Sequence, residues 1–146
     1  MAEISSIDPA RLVGTWILVS NEWIAIDGRV VSRPFGAEPL GQLIYTADGS
    51  VSAMLASPGR PANARPREGT VEERAAAYDG LLAYSGAYEV RGHTVVHHVL
   101  AGSIPADSGA DRVRGIELEG DILTLTAAPR LVEGEEQVHR IVWRRG

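Results

Sequence analysis

The sequence predicts an all-β protein: one closed, up-and-down antiparallel β-barrel of eight or nine strands, with a single α-helix near residues 71–83. Three observations carry this expectation. Short runs of β-branched and aliphatic residues fill most of the chain, separated by glycine-containing turns. Several turns are tight, as at Asp27-Gly28, Asp48-Gly49 and Glu119-Gly120-Asp121, so successive strands pair in chain order. A meander of that many strands removes its exposed edges by closing on itself.

The first strand runs from about Leu12 to Ile26, through Trp16-Ile17-Leu18-Val19. Arg29 to Ser32 returns as a short strand until Pro34 stops it. Gly41 to Thr46 and Ser50 to Ala56 form the next pair across Asp48-Gly49. Residues Ser57 to Gly69 are dense in proline, glycine and arginine and read as an exposed loop, either a solvated connection or a lid. Thr70-Val71-Glu72-Glu73 then fits a capping box, in which the threonine and the glutamate three residues on satisfy each other's backbone N–H groups. Val71, Ala75, Tyr78 and Leu82 recur at helical spacing and predict an apolar stripe that covers one end of the barrel. Strands resume at Tyr84 to Val90, His93 to Leu100, Arg112 to Leu118, Ile122 to Ala127 and Val138 to Arg144, with Gly134 in an acidic loop.

The 146 residues are one domain's worth, 1–146, with 45% hydrophobic and 23% charged residues. A net charge of −5 argues against nucleic acid or an anionic membrane as the main partner. All 14 basic residues are arginine, so no lysine is present for imine chemistry. No cysteine is present, which excludes disulfides, thiol nucleophiles and thiolate metal sites. No stretch approaches the ~18 apolar residues of a membrane helix. Met1-Ala2-Glu3-Ile4 lacks the pattern of a secretory signal, so a cytoplasmic location is expected.

Barrels of about eight strands are either filled by their own side chains or hold one small ligand. Aromatic residues are few, and strands such as Ser50-Val51-Ser52-Ala53 alternate small or polar with apolar residues, which predicts a hollow, apolar lumen. Trp16 to Val19 and Val95 to Leu100 are apolar on both faces. Their outer face then meets the helix, a loop or a second copy in a homodimer.

The order Leu12-Val13-Gly14-Thr15-Trp16, Gly41-Gln42-Leu43-Ile44-Tyr45-Thr46, Tyr84-Ser85-Gly86-Ala87-Tyr88, Val96-His97-His98-Val99, Arg112 and Gly120-Asp121-Ile122-Leu123-Thr124-Leu125 resembles the lipocalin-like domain family of small bacterial and fungal proteins. Gly14-Thr15-Trp16 looks like the glycine-x-tryptophan signature of lipocalins. The resemblance implies that Trp16 plugs the base of the barrel beneath a late arginine, Arg140 or Arg144, by cation–π stacking. It also implies binding of hydrophobic small molecules, or cofactor-free cyclase or isomerase activity in secondary metabolism. No catalytic residue transfers with it.

His97 and His98 are adjacent on a strand and face opposite sides, and the other histidines are scattered, so no metal site is expected. The family likeness favours His97 as the inward one. Tyr84 and Tyr88 share a face and supply apolar walls with hydroxyl tips. Glu22 alternates in phase with Trp16, Leu18 and Ser20, which places a carboxylate in the lumen if that face is inward. The favoured function is therefore binding of a small apolar ligand, without cofactor, against Tyr45, Met54, Tyr88, His97, Arg112 and Trp143. The alternative is a cofactor-independent cyclase or isomerase of a polyketide- or terpenoid-like intermediate, with His97 and Glu22 moving protons.

Overall fold

A computed structural model describes residues 6–62 and 64–146. The expectation for Met1–Ile4 and the position of Asn63 in the proline-rich loop lie outside these residues. The strands are β1 (Gly14–Ala25), β2 (Val30–Ser32), β3 (Leu40–Tyr45), β4 (Ser50–Ala56), β5 (Leu81–Arg91), β6 (Thr94–Gly102), β7 (Asp111–Glu119), β8 (Ile122–Thr126), β9 (Arg130–Val132) and β10 (Glu135–Arg145). Among the described residues there is one α-helix, α1, which spans Val71–Asp79.

All ten strands join one sheet in the order β2-β1-β3-β4-β5-β6-β7-β8-β10-β9, and β1 also pairs with β10. That extra pairing closes eight of the strands into a barrel. β2 and β9 lie outside the ring. β2 follows the far end of β1 at Trp23 and Ile24, and β9 follows Glu135 to Gln137 of β10. The predicted meander is thus the observed one. β9 falls between the expected strands Ile122 to Ala127 and Val138 to Arg144, where its three residues add to the edge that the long β10 offers.

The capping box at Thr70 and Glu73 forms as expected, with both reciprocal hydrogen bonds present. The helix ends at Asp79 instead of near Ala83, because Leu81 and Leu82 pair with Ala56 and Leu55 in the sheet. Its apolar stripe is also not core: no helix residue is buried, and Val71 and Tyr78 are largely exposed. The helix leans on the start of β5 and supplies part of the rim.

Alternation along each strand turns Val51, Ala53 and Leu55 of β4, Leu123 and Leu125 of β8, and Ile141 and Trp143 of β10 into one apolar core. Tyr45, Tyr84, Tyr88 and His97 turn inward with them. Large rings therefore fill the barrel axis, and an internal cavity of only about 20 Å³ remains. The expected hollow apolar lumen is corrected accordingly: the open volume lies at one mouth.

The other end is shut by the N-terminal segment. Ile7 N–H donates to Gly92 O, and Trp16 Nε1–H donates to Leu12 O at 2.9 Å. The guanidinium of Arg145 lies 4.0 Å from the Trp16 ring centroid and donates to Val13 O at 2.9 Å and Arg11 O at 2.6 Å. The base arginine is thus Arg145, which corrects the choice between Arg140 and Arg144. The phase of β10 decides it: Ile141 and Trp143 point in, so Arg145 does too, while Arg140 and Arg144 are exposed.

One glycine is demanded by close approach. Gly86 pairs with Val99 where the β5–β6 register shifts, and a Cβ there would lie 1.9 Å from His98 O. The shift leaves Leu100 of β6 unpaired and exposed.

Replacing Arg145 with alanine removes a cation–π contact and two hydrogen bonds. Urea unfolding should show a loss of about 2–3 kcal/mol. Arg144→Ala, on the outer wall, should stay within about 0.5 kcal/mol of the parent.

Candidate functional site

The mouth is a concavity of about 580 Å³. Its walls come from the elements that rise past the ring: Trp23 of β1, His139 of β10, Phe35 of the β2–β3 loop, Tyr78 of α1, Leu82 of β5 and Ile104 of the β6–β7 loop. Arg112 and Arg114 of β7 line both this mouth and the small cavity beneath it, as does Leu82. The two spaces therefore share one boundary, and that boundary is cationic.

The aromatic side of the mouth is built on the β1–β10 ribbon. Trp23 and His139 are paired in register, and their rings stack with centroids 4.6 Å apart and planes 11° from parallel. The Arg130 guanidinium also lies over the Trp23 ring, 4.6 Å from its centroid. Asn21 Oδ1 accepts from His139 Nε2–H at 2.6 Å and fixes the imidazole. Burial, reinforced by the Arg114 and Arg112 cations, pushes the His139 pKa down to about 4.

Beneath the arginines lies a polar chain in the barrel centre. Tyr45 Oη is 2.6 Å from His97 Nε2, and Tyr84 Oη is 2.6 Å from His97 Nδ1. His97 is almost fully buried. Its pKa is pushed down to about 3, chiefly by burial and then by Arg114 and Arg112. Burial raises both phenols above their ordinary value. The three rings are therefore linked in their neutral forms by two hydrogen bonds. Arg112 stands 5.2 Å from the Tyr84 centroid and is ion-paired to Asp107 of the β6–β7 loop. Arg114 has no carboxylate within ion-pairing distance among the described residues, and burial lowers its pKa.

The residues singled out from sequence fall in three places. Tyr45, His97, Arg112 and Trp143 are inside the barrel, with Trp143 lining the small cavity. Tyr88 is inside but nearer the base; its ring packs edge-on against Tyr45, and its hydroxyl donates to Thr46 O at 2.8 Å. Met54 and Glu22 are outside. Met54 is 48% exposed, because Ala53 and Leu55 take the inner face of β4. Glu22 is displaced by a bulge: the register shift between Leu18 and Ser20 reverses the alternation, so Asn21 and Trp23 face inward instead. Glu22 then meets Arg33 at 2.9 Å and Arg140 at 3.3 Å on the outer wall. The expected lumenal carboxylate is thus corrected.

Sequence reasoning missed Arg114, Trp23, Asn21 and His139. A signal existed for Arg114, which alternates in phase with Arg112 and the buried Ile116. One existed for His139 too, which alternates in phase with Ile141 and Trp143 of β10; none existed for Asn21 and Trp23, whose orientation depends on the bulge.

The depressed His97 pKa has a definite sign. Below its ordinary value near 6.5, an unfolded His97 takes a proton that the folded one refuses. Stability is lost as pH falls from about 6.5 toward 3, by about 1.4 kcal/mol per pH unit from this group. Denaturant titrations across that range should show the slope, to which His139 adds between about 6.5 and 4, and His97→Gln should reduce it. NMR should find the wild-type imidazole neutral at pH 5.

The chain is 34% identical over 106 residues to the 4′-hydroxy-3′-methoxypropiophenone carrier protein ppsC of Aspergillus oryzae, an alignment covering 65% of this chain and 96% of that protein. It is also similar to the solved structure of an uncharacterized protein from Bacteroides eggerthii, at 13% identity and a TM-score of 0.45, covering 92% of this chain and 99% of that one. Residues 13–146 match the lipocalin-like domain, and the chain belongs to that family.

Proposed function

We propose that the protein is a carrier: it binds a small aromatic molecule reversibly at the barrel mouth and releases it unchanged. The observation that carries this reading is the mouth itself. A concavity of about 580 Å³ falls within the ~300–1,000 Å³ range of small-molecule sites. Its walls combine rings and aliphatic groups with a few polar groups at the floor. The similar protein from Aspergillus oryzae is named as the carrier of an oxygenated aryl ketone, and a ligand of that class suits such walls.

A cyclase or isomerase is the less favoured reading. It needs two groups free to move protons against a substrate. Both His97 nitrogens are engaged by tyrosine hydroxyls, and Glu22 is held by two arginines on the far side of the wall. The proton-moving pair is therefore not assembled.

Native mass spectrometry of protein purified from its own host should show a bound small molecule that is recovered unchanged after denaturation. Recovery of a chemically altered product after turnover would overturn the carrier reading. Aryl ketones should also quench tryptophan fluorescence through Trp23, since Trp16 and Trp143 are buried. Trp23→Ala should weaken binding about tenfold, or ~1.4 kcal/mol, by removing an aromatic part of the wall.

A further inference from the structure

We infer that the floor of the mouth is a receptor for an anionic oxygen, and that the ligand is held as a phenolate or enolate by Arg114, Arg112 and the Tyr84 hydroxyl. This rests on the carrier reading and adds the chemical state of the cargo.

Proton accounting along the central chain leads there. A neutral imidazole has one N–H to give and one lone pair to receive. Tyr45 is 1% exposed, and its hydroxyl has His97 as its single side-chain partner. Were Tyr45 to accept from His97, its own O–H would be buried without an acceptor. Tyr45 therefore donates to Nε2, and the His97 proton sits on Nδ1. Nδ1–H donates to Tyr84 Oη, which leaves the Tyr84 O–H proton without an acceptor among the described residues. Tyr84 is only partly buried and lines the small cavity. Its hydroxyl is thus a donor, oriented by a relay whose far end is locked in the core.

The neighbouring groups are donors as well. Arg112 and Trp143 line the same cavity, and Arg112 Nε and Trp143 Nε1 are buried without an acceptor among the described residues. Arg114 Nη1 donates to its neighbour's carbonyl, Val113 O, and no carboxylate pairs with it among the described residues. Asp107 answers one of the two guanidinium charges, so the floor keeps a net positive charge. A half-buried, uncompensated guanidinium beside orphaned donors calls for an acceptor that carries charge. The size of the cavity limits it further. About 20 Å³ admits a single oxygen atom, whereas the wider mouth above takes the body of the molecule. One oxygen enters the floor, and a ring stays against Trp23.

Two probes test this: para-hydroxyacetophenone, whose absorption moves to longer wavelength on ionisation, and para-methoxyacetophenone, which cannot ionise. Tryptophan quenching reports occupancy for both. The bound phenol should ionise at least about one pH unit below the free phenol, and the methyl ether should bind at least about fivefold more weakly. Arg114→Gln should return the ionisation midpoint toward that of free phenol while quenching persists, and Arg112→Gln serves if that variant folds poorly. Tyr84→Phe should weaken phenol binding about fivefold and leave the ether unchanged. An unshifted midpoint in the wild-type complex, or equal binding of phenol and ether, would overturn the anionic receptor and leave the carrier reading standing. Failure of both probes to quench would overturn the two together.

Discussion

The seam between β1 and β10 governs the rest of the structure. It pairs Trp16 through Ala25 with Arg145 through Gln137, and by closing the ring it removes the two sheet edges that a meander would otherwise expose. The seam is interrupted once, between Leu18 and Ser20, where Val19 is extra and lies 42% exposed. Below that point Trp16 and Leu18 pack inward with Trp143. Above it, Asn21 and Trp23 take the inner face with Ile141 and His139. Without the extra residue, strict alternation would direct Ser20 and Glu22 inward and set a carboxylate opposite Arg112 and Arg114. The bulge therefore decides whether the floor of the mouth keeps its positive charge, as well as the shape of its wall.

A cationic floor in a small barrel is a demanding arrangement, because isolated buried charges are strongly disfavoured. The fold meets the difficulty by grading polarity along the axis. At the base, the charge of Arg145 is spread over Trp16 and two carbonyls at the solvent edge. In the middle, the polar groups are neutral: two phenols and an imidazole whose protonation burial suppresses. Charge appears again only at the level of Arg112 and Arg114, where the mouth admits solvent and Asp107 answers one of the two. The same cations that line the mouth help to keep His97 and His139 uncharged, so the neutrality of the centre and the positivity of the floor sustain each other.

Much of this was legible in the sequence, and the boundary of what was legible follows a physical rule. Tight turns at Asp27-Gly28 and Asp48-Gly49, and a capping box at Thr70, act over a few residues and announce themselves locally. The meander and its closure follow from their spacing. Which side of a strand faces inward is a parity question, and a single bulge inverts the answer. That is why Glu22 was expected in the lumen and Trp23 was not. Met54 failed for a related reason: β4 offers Ala53 and Leu55 as a better inner face, but only the register with β3 and β5 reveals it. The filled axis was hidden because the count of aromatic residues is low, while their orientation concentrates four rings and His97 in one place. β9 was hidden because its three residues become strand only by adding to an edge supplied by β10.

A filled axis also bears on how such a protein handles a ligand. A hollow barrel surrounds its cargo and gives it up slowly, because the whole apolar surface must be rehydrated on release. Here the body of a ligand at the mouth would lie against one wall, Trp23 and His139 on the ribbon, with Phe35 and Tyr78 on the loop and helix opposite. Only its inserted oxygen would be enclosed. Affinity then divides between a modest apolar contact and a compact polar anchor, and the two respond to different variables. Apolar contact changes with the size of the ring, whereas the anchor changes with the ionisation of the oxygen. A carrier organised in this way can hold a molecule in one protonation state and surrender it when that state changes, without moving the barrel that holds it.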